Sequence, residues 1–340
     1  MYWLNFSLVL SSLGLVLVLA SDTQCPNVPT TPSDRRSNKT TFRLMQYNVE
    51  WLFTDYYSNA QCPGSGCAWS NQSQALTHMK SVANVISNLN PDYVNLCEVE
   101  GCDELDELVE QLDGSYQPYL IKGTDSATGQ NVGIISRVDP NVNLYRDETR
   151  YTFPIPGSKC GYTGASGTSG TSGTSKHYIT ELKLGEYSIA IIGLHLLAIP
   201  TDPTRCAERE AQALVAQQVA SKYLTAGYEV IILGDLNDYD GAVLDANKSV
   251  PTSQVLEILK VGGKLVTTNT WIDQDSRYTN WWDKDSSCVS TPNEFTMIDH
   301  ILVTPRLANK IKSVFVYHGY EEFCGTYNSD HYPVIVDFEL

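Results

Sequence analysis

One pattern restricts this chain's fold more than any other: short apolar runs that stop abruptly in acid, amide or imidazole groups. In VIILGDLNDYD, residues 230–240, Val230 to Leu233 read as a buried strand, and Gly234, Asp235, Leu236, Asn237 and Asp238 follow at once. Polar groups at the edge of a core lose solvation, so partners must stand there to offset the loss. The pattern recurs along the chain. NLCEVE carries Glu98, IIGLHL carries His195, TMIDHILV carries Asp299, and YNSDHYPVIVDF places Asp330 and His331 just before a last strand. Singly, each has an ordinary explanation: His195 as a satisfied core histidine, Asp299 as a loop cap, GDLN as a turn. Together they describe strand ends converging on an oxygen-rich site for a hard cation, Mg²⁺ or Mn²⁺. Zinc fits less well, because it favours closed histidine and cysteine shells.

Composition sets the limits around that site. At 340 residues the chain can form one large domain or two, and 42% hydrophobic content argues against wholesale disorder. The formal charge of −16 argues against a broad basic surface that holds nucleic acid by electrostatics alone. A polyanionic substrate would need a bound cation to offset the repulsion.

TFRLMQYNVEWLF (41–53) predicts a strand ending near Asn48. Leu76, Met79, Val82, Ala83, Ile86 and Leu89 have helical spacing, which predicts a helix over 72–90 stopped by Asn90-Pro91. DYVNLCEVE (92–100) is the next strand, with further strands expected at 117–122, 131–136, 178–183, 187–195, 228–233, 297–303, 313–318 and 332–338. A second helix fits 207–225, with Gly227 just beyond its end. GASGTSGTSG (164–173) reads as a flexible surface loop that need not pack. Residues 21–40 are polar and proline-dotted, a linker, and nothing divides 41–340, so one α/β domain is expected there.

The first twenty residues carry no charge and end in Val18-Leu19-Ala20, as a secretory signal cleaved after Ala20 would. A retained membrane anchor competes, but Asn5, Ser7, Ser11 and Ser12 leave the apolar stretch short of the roughly 20 residues that a span needs. Export without stable membrane insertion is the expectation. Sequons at Asn38, Asn71 and Asn247 agree with it, as do nine cysteines. Nine is odd, so at least one is free or pairs with another chain. Cys62–Cys67, Cys160–Cys206 and Cys288–Cys324 are the pairs considered.

Asn48 in YNVEWLF, Glu98 in LCEVE, His195 in GLHLLAIP, Asp235 and Asn237 in GDLND, Asp299 in MIDHILV and Asp330-His331 in SDHYPV form an ordered set. The set resembles the motifs of the endonuclease/exonuclease/phosphatase superfamily, the fold of pancreatic-type deoxyribonuclease and apurinic endonucleases, over about residues 43–338. The resemblance implies a DNase I-like four-layer α/β/β/α sandwich of two mixed sheets, with the site at their shared edge, and hydrolysis of a phosphate ester. It implies Glu98 as principal Mg²⁺ ligand with Asn48 beside it, and Asp330 as the remaining metal-side carboxylate. Asp235 and Asn237 would position the phosphate and the attacking water. His331 would be the general base, oriented by Asp299, and His195 would stabilise or protonate the far side of the phosphate. A histidine titrating near neutrality, held by a buried aspartate, suits that role on physical grounds.

The resemblance also shows departures. Sequence-nonspecific deoxyribonucleases of this family carry an arginine two residues after the metal glutamate, where this chain has Glu100. The acid that orients the histidine matching His195 is missing, with Gln130 the nearest match. Inositol-phosphatase signatures are absent, and no convincing apolar hairpin for a lipid surface is visible. A nuclease acting on DNA or RNA is therefore the leading expectation, a sphingomyelinase-like or inositol-phosphate esterase the second, and a non-catalytic secreted binding protein the third. Asp283, Asp285, Ser287, Val289 and Glu294 occupy positions 1, 3, 5, 7 and 12 of an EF-hand-type loop, with Cys288 in place of the usual glycine. The loop is either a structural Ca²⁺ site or a solvated acidic hairpin. Trp281 and Trp282 before it either stack on bases or pack in the core.

Overall fold

A computed structural model describes residues 25–54, 69–160, 169–285, 287–320 and 327–340. The expected signal segment, the Cys62–Cys67 pair and Cys324 lie outside the described residues. In chain order the first strands are β1 (Thr41–Leu52), β2 (Tyr93–Val99), β3 (Gln117–Leu120) and β4 (Asn131–Ser136). A small hairpin, β5 (Tyr151–Phe153) with β6 (Gly170–Ser172), precedes β7 (Lys176–Leu184), β8 (Tyr187–His195) and β9 (Glu229–Asp235). β10 (Val266–Thr267), the hairpin β11 (Asn280–Trp281) with β12 (Phe295–Thr296), β13 (Asp299–Val303), β14 (Ile311–Val316) and β15 (Val334–Glu339) complete the set. Three longer helices are α1 (Gln72–Leu89), α2 (Cys102–Glu110) and α3 (Pro203–Thr225).

The strands build two mixed sheets, ordered β14-β15-β1-β2-β4-β3 and β10-β13-β9-β8-β7. Each contains one parallel pair, β1 with β2 and β8 with β9, and α1 and α3 are the crossovers that parallel neighbours require. Side-chain alternation assigns the layers. Phe42 and Leu44 of β1 face Ile231 and Leu233 of β9 in the core between the sheets. Met45, Tyr47 and Val49 of β1 turn outward onto α1 and α2. Val230 and Ile232 of β9 turn outward onto α3. The result is a four-layer α/β/β/α sandwich, each sheet buried on both faces. Among the described residues no helix is long and apolar enough to cross a membrane.

Local signals set the element ends. Asn71 caps α1 by accepting from Gln74 N, and Asn90 closes it in the left-handed region at φ 50°. α3 starts at Pro203, four residues before the expected 207, because Asp202 caps it and proline suits the first turn. α2 was not expected from the sequence; Leu105 and Leu108 anchor its short acidic run, and Cys102 at its start is bonded to Cys25.

Two expectations need correction, and one bond was not foreseen. β1 does not stop near Asn48 but continues to Leu52 through left-handed turns at Glu50 (φ 50°) and Trp51 (φ 49°). Residues 170–172 of the expected free loop pair with β5, where Ser172 is buried. The Cys25–Cys102 bond was not considered, although Cys160–Cys206 forms as expected. Cys288 is itself disulfide-bonded. Cys97, buried between the sheets, is free.

Gly234 is the residue on which the β8–β9 edge depends. Its φ is +151°, and a Cβ there would stand 1.8 Å from the Leu194 carbonyl oxygen. Gly234→Ala should therefore lower the unfolding free energy by about 3 kcal/mol, read by urea denaturation. A loss within experimental error would contradict this close approach.

Candidate active site

The registers of four adjacent strands place a row of polar side chains across one end of the five-stranded sheet. Lys176 on β7 is opposite His195 on β8, His195 is opposite Asp235 on β9, and Asp235 is opposite Asp299 on β13. Residues so paired project from one face and lie in reach of one another. From the facing sheet, Gln46 and Asn48 continue the inward positions of Phe42 and Leu44. Gln46 Nε2 donates to Asp299 Oδ1 at 3.0 Å, and Asn48 Nδ2 donates to Asp235 Oδ2 at 3.0 Å. The strand ends thus satisfy one another across the sandwich.

His331 enters just before β15. Its Nδ1 is 2.7 Å from Asp299 Oδ2, and its Nε2 is 3.9 Å from both Asp235 Oδ2 and Asp330 Oδ1. Ser329 Oγ fixes the approach by donating to Asn48 O at 2.7 Å and accepting from His331 N at 3.0 Å. Burial works against a proton on His331, but Asp299, Asp330 and Asp235 prevail and hold its pKa well above the ordinary value. Asp235, raised to about 7, owes the shift first to burial and then to Asp299. The ligand atoms of Asp235, Asp299 and His331 lie within 4.8 Å of one another.

Glu98 stands at the end of β2 in a left-handed conformation, φ 69°. Its Oε1 accepts from Asn48 Nδ2 at 3.1 Å, and its Oε2 accepts from Trp51 N at 3.1 Å and Gln130 Nε2 at 2.7 Å. The left-handed turn at Glu50 and Trp51 is what aims that N–H. Asn48 Oδ1 meanwhile accepts from Glu50 N at 3.1 Å, so Asn48 bridges Glu98 and Asp235 through its amide nitrogen. Beside Glu98 are Asp330 and Glu50, both half-buried. Asp330 is raised to about 6, first by burial, with His331 opposing and Glu98 adding to the rise. Glu50 is raised well above the usual range by burial and by Asp330 and Glu98. Three crowded carboxylates with oxygen-only donors suit a hard divalent cation, with Glu98, Asp330 and Glu50 as the side chains that would hold it.

All eight core residues expected from the sequence thus come together: Asn48, Glu98, His195, Asp235, Asn237, Asp299, Asp330 and His331. Asn237 N donates to Asp235 Oδ1 at 3.0 Å, and its Nδ2 donates to Leu196 O at 3.2 Å. His195 Nε2 is 3.7 Å from Asp235 Oδ2, and its Nδ1 is buried without a hydrogen-bond partner. Gln130 is not the partner of His195; it donates to Glu98 instead. Burial first, then Lys176 and His331, push the His195 pKa well below its ordinary value, which keeps the ring neutral. Sequence reading missed Glu50, Gln46 and Lys176. Gln46 had a signal, the period of two from Asn48; Glu50 broke that period through the left-handed turn, and Lys176 had none.

The 283–294 segment stands apart from this cluster. Carboxylate oxygens of Asp283, Asp285 and Glu294 lie within 4.8 Å of one another. They are turned onto the loop's own N–H groups: Asp283 accepts from Ser287 N and Cys288 N at 3.1 and 3.0 Å, and Glu294 accepts from Thr291 N at 2.9 Å. Ser287 Oγ donates to Val289 O at 3.3 Å. Trp281 packs in the core with its Nε1 on Glu294, whereas Trp282 is 64% exposed. Asn38, Asn71 and Asn247 are all exposed.

Of the side chains that would hold a cation, Asp330 and Glu50 are both raised, first by burial and then by neighbouring carboxylates, which favours protons on them. Binding should therefore expel protons. Mg²⁺ affinity is expected to rise with pH between about 5 and 8, approaching tenfold per pH unit where one proton leaves per ion. Calorimetry in buffers of different ionisation enthalpy measures that release, and a pH-independent affinity would refute it.

Comparison with known proteins agrees with this fold. No curated protein matches the sequence. Truncated Caenorhabditis elegans TDP2 is similar in structure, with 17% identity and a TM-score of 0.52, over 88% of this chain and 98% of that one. The Bacteroides thetaiotaomicron mannosyl-6-phosphatase Bt3783 is similar at 17% identity and a TM-score of 0.51, over 87% and 98%. The Neisseria 3′ phosphatase NExo, bound to a product DNA hairpin, is similar at 15% identity and a TM-score of 0.57, over 88% and 100%. At such identities these likenesses concern the fold. Residues 45–331, however, match the Endonuclease/Exonuclease/phosphatase family, and the chain belongs to that family.

Proposed function

We propose that the protein is an exported phosphoesterase that depends on Mg²⁺ or Mn²⁺ and hydrolyses phosphodiester bonds of DNA or RNA. One observation carries this reading: Asp299 holds His331 Nδ1 at 2.7 Å, leaving Nε2 facing the opening between Asp235 and Asp330. A cation held by Glu98, Asp330 and Glu50 would supply positive charge for the phosphoryl oxygens and favour ionisation of water. Once the positive charge of the cation has displaced the proton that Asp299, Asp330 and Asp235 favour on it, neutral His331 takes the proton from that water at Nε2, and Asp299 fixes the tautomer and favours the imidazolium. Asp235 orients Asn237, whose amide donates to the phosphate. Neutral His195 offers a hydrogen bond rather than a proton, which departs from the acid role that the resemblance allowed. Export rests on the apolar leader at 1–20, followed by the 21–40 linker and the 41–340 domain, on the disulfides, and on exposed sequons at Asn38, Asn71 and Asn247.

Lipid or small-molecule esters are the second reading. It draws on Trp282 and Val289, 64% and 65% exposed on the loop beyond β11. They are two scattered residues beside Asp283 and Asp285 rather than an apolar patch, so nucleic acid stays first. Structural calcium in that loop would have to displace the N–H groups that Asp283 and Glu294 now accept, and it has no part in turnover.

Purified protein assayed on single- and double-stranded DNA, RNA, sphingomyelin and inositol phosphates, with and without chelator, tests the proposal. Chelator-sensitive cleavage of a nucleic acid is expected; cleavage of none, or cleavage indifferent to chelator, defeats it. His331→Ala should reduce kcat by roughly 10²–10⁴-fold, while Mg²⁺ affinity stays equal or tightens because a competing positive charge is gone. Glu98→Ala should weaken the metal instead. Undiminished effect of His331→Ala would favour a non-catalytic binding protein.

A further inference from the structure

Arg209 on α3 and Asp238, directly after Asn237, form an ion pair that the proposed mechanism leaves unused. Arg209 Nε donates to Asp238 Oδ2 at 3.0 Å, and both side chains are fully buried. A buried ion pair adds little stability over an apolar pair of similar size, so stability alone does not explain it. The remaining donors of Arg209 do. Nη1 donates to Leu197 O and Ile199 O, each at 3.3 Å, and Nη2 donates to Pro200 O at 3.1 Å. One guanidinium thus holds three carbonyls of the turn that follows His195. Gln212, also on α3, accepts from Leu197 N at 2.9 Å, and Thr252 Oγ1 donates to Pro200 O at 3.0 Å.

The turn needs that hold. Ile199 lies at φ 70°, a left-handed conformation that its branched Cβ makes costly, and its side chain is exposed, so core packing does not account for the strain. The turn also supports the reacting edge. Leu196 N donates to Asp235 O at 2.9 Å, and Leu196 O accepts from Asn237 Nδ2 at 3.2 Å. That bond occupies one of the two amide hydrogens of Asn237 and aims the other. Asp238 grips the same edge. Its Oδ2 also accepts from Ser253 Oγ, and its backbone oxygen accepts from Nε2 of His300, the neighbour of Asp299, at 2.9 Å.

We infer that Arg209 is a positioning residue: through Asp238 and the strained 197–200 turn it fixes the Leu196 carbonyl, and with it the Asn237 amide that meets the phosphate. The inference rests on the phosphoesterase reading. Among the described residues the side chains of Glu98, Asp330 and Glu50 make no hydrogen bond to Arg209, Asp238 or the turn. Turnover and metal affinity should therefore separate. A pair that merely fastened α3 to the sheet would affect stability and both functions alike.

The full chain is prepared as wild type, Arg209→Lys, Ile199→Asn and the double variant. Each is assayed on the nucleic acid that wild type cleaves, and Mg²⁺ affinity is measured by calorimetry. Lysine keeps the charge opposite Asp238 but lacks the planar fork that reaches three carbonyls. Arg209→Lys is expected to lower kcat at saturating Mg²⁺ by roughly 10–50-fold, with KM within about threefold and Mg²⁺ affinity within about twofold of wild type. Asparagine accepts the left-handed region, so Ile199→Asn should raise the thermal midpoint by roughly 1–3 °C. In the double variant it should restore kcat to within about fivefold of wild type. Wild-type kcat in Arg209→Lys, a parallel loss of Mg²⁺ affinity, or no recovery in the double variant would overturn the inference. Should Arg209→Lys not fold, Thr252→Val deletes a single hydroxyl bond to the turn. About a threefold loss of kcat at unchanged Mg²⁺ affinity is then expected, and no loss counts against the proposal. Wild type that hydrolyses no ester would remove the phosphoesterase reading, whereas an equal or lower midpoint in Ile199→Asn refutes the strained turn itself, so the two failures are distinguishable.

Discussion

The contact between Asp299 and His331 is the constraint from which the rest of the site follows. Asp299 comes from the five-stranded sheet and His331 from the loop leading into the six-stranded one, so their 2.7 Å contact joins the two sheets at the shared edge. Gln46 adds a second link through the other oxygen of Asp299. A buried carboxylate is tolerated only when such partners are present. The network therefore holds the sheets in register at the end where the core turns polar, and it holds His331 with its free nitrogen toward the opening.

The backbone carries part of the cost. Glu50, Trp51, Glu98 and Asn237 all adopt positive φ, a conformation that L-residues avoid, and all border the site. At Trp51 the purpose is visible, since the turned N–H reaches Glu98. The same turn brings Glu50 beside Asp330, whose N–H it accepts at 3.1 Å. Positive φ also occurs elsewhere, as at Asn90 and Val261, but the crowding of Glu50, Glu98 and Asp330 belongs to this edge. A cation held between Glu98, Asp330 and Glu50 would relieve that crowding.

Much of this was legible in the chain. Each apolar run carrying Glu98, His195, Asp235 or Asp299 at or beside one end became a strand, because burial on both faces demands such runs and backbone pairing demands that polar ends meet partners. The 72–90 helix was marked by its apolar spacing and by Asn90-Pro91. Less legible were α2, whose nine residues hold too few apolar positions to stand out, and the β5–β6 hairpin, whose Gly-Thr-Ser sequence resembles any loop. Cys25–Cys102 could not be read from spacing, since 77 residues separate the two.

Sequence by itself determined the layered architecture and the identity of the eight central polar residues, since periodicity and the order of the motifs are properties of the chain. Tertiary structure alone decided their partners. It turned Gln130 from His195 to Glu98, sent Trp281 into the core and Trp282 to solvent, and set Lys176 opposite His195 and Glu50 beside Asp330. The physical reason is that a side chain's charge state and available donors depend on neighbours brought from remote strands, and register across two packed sheets is a distance that no local spacing encodes.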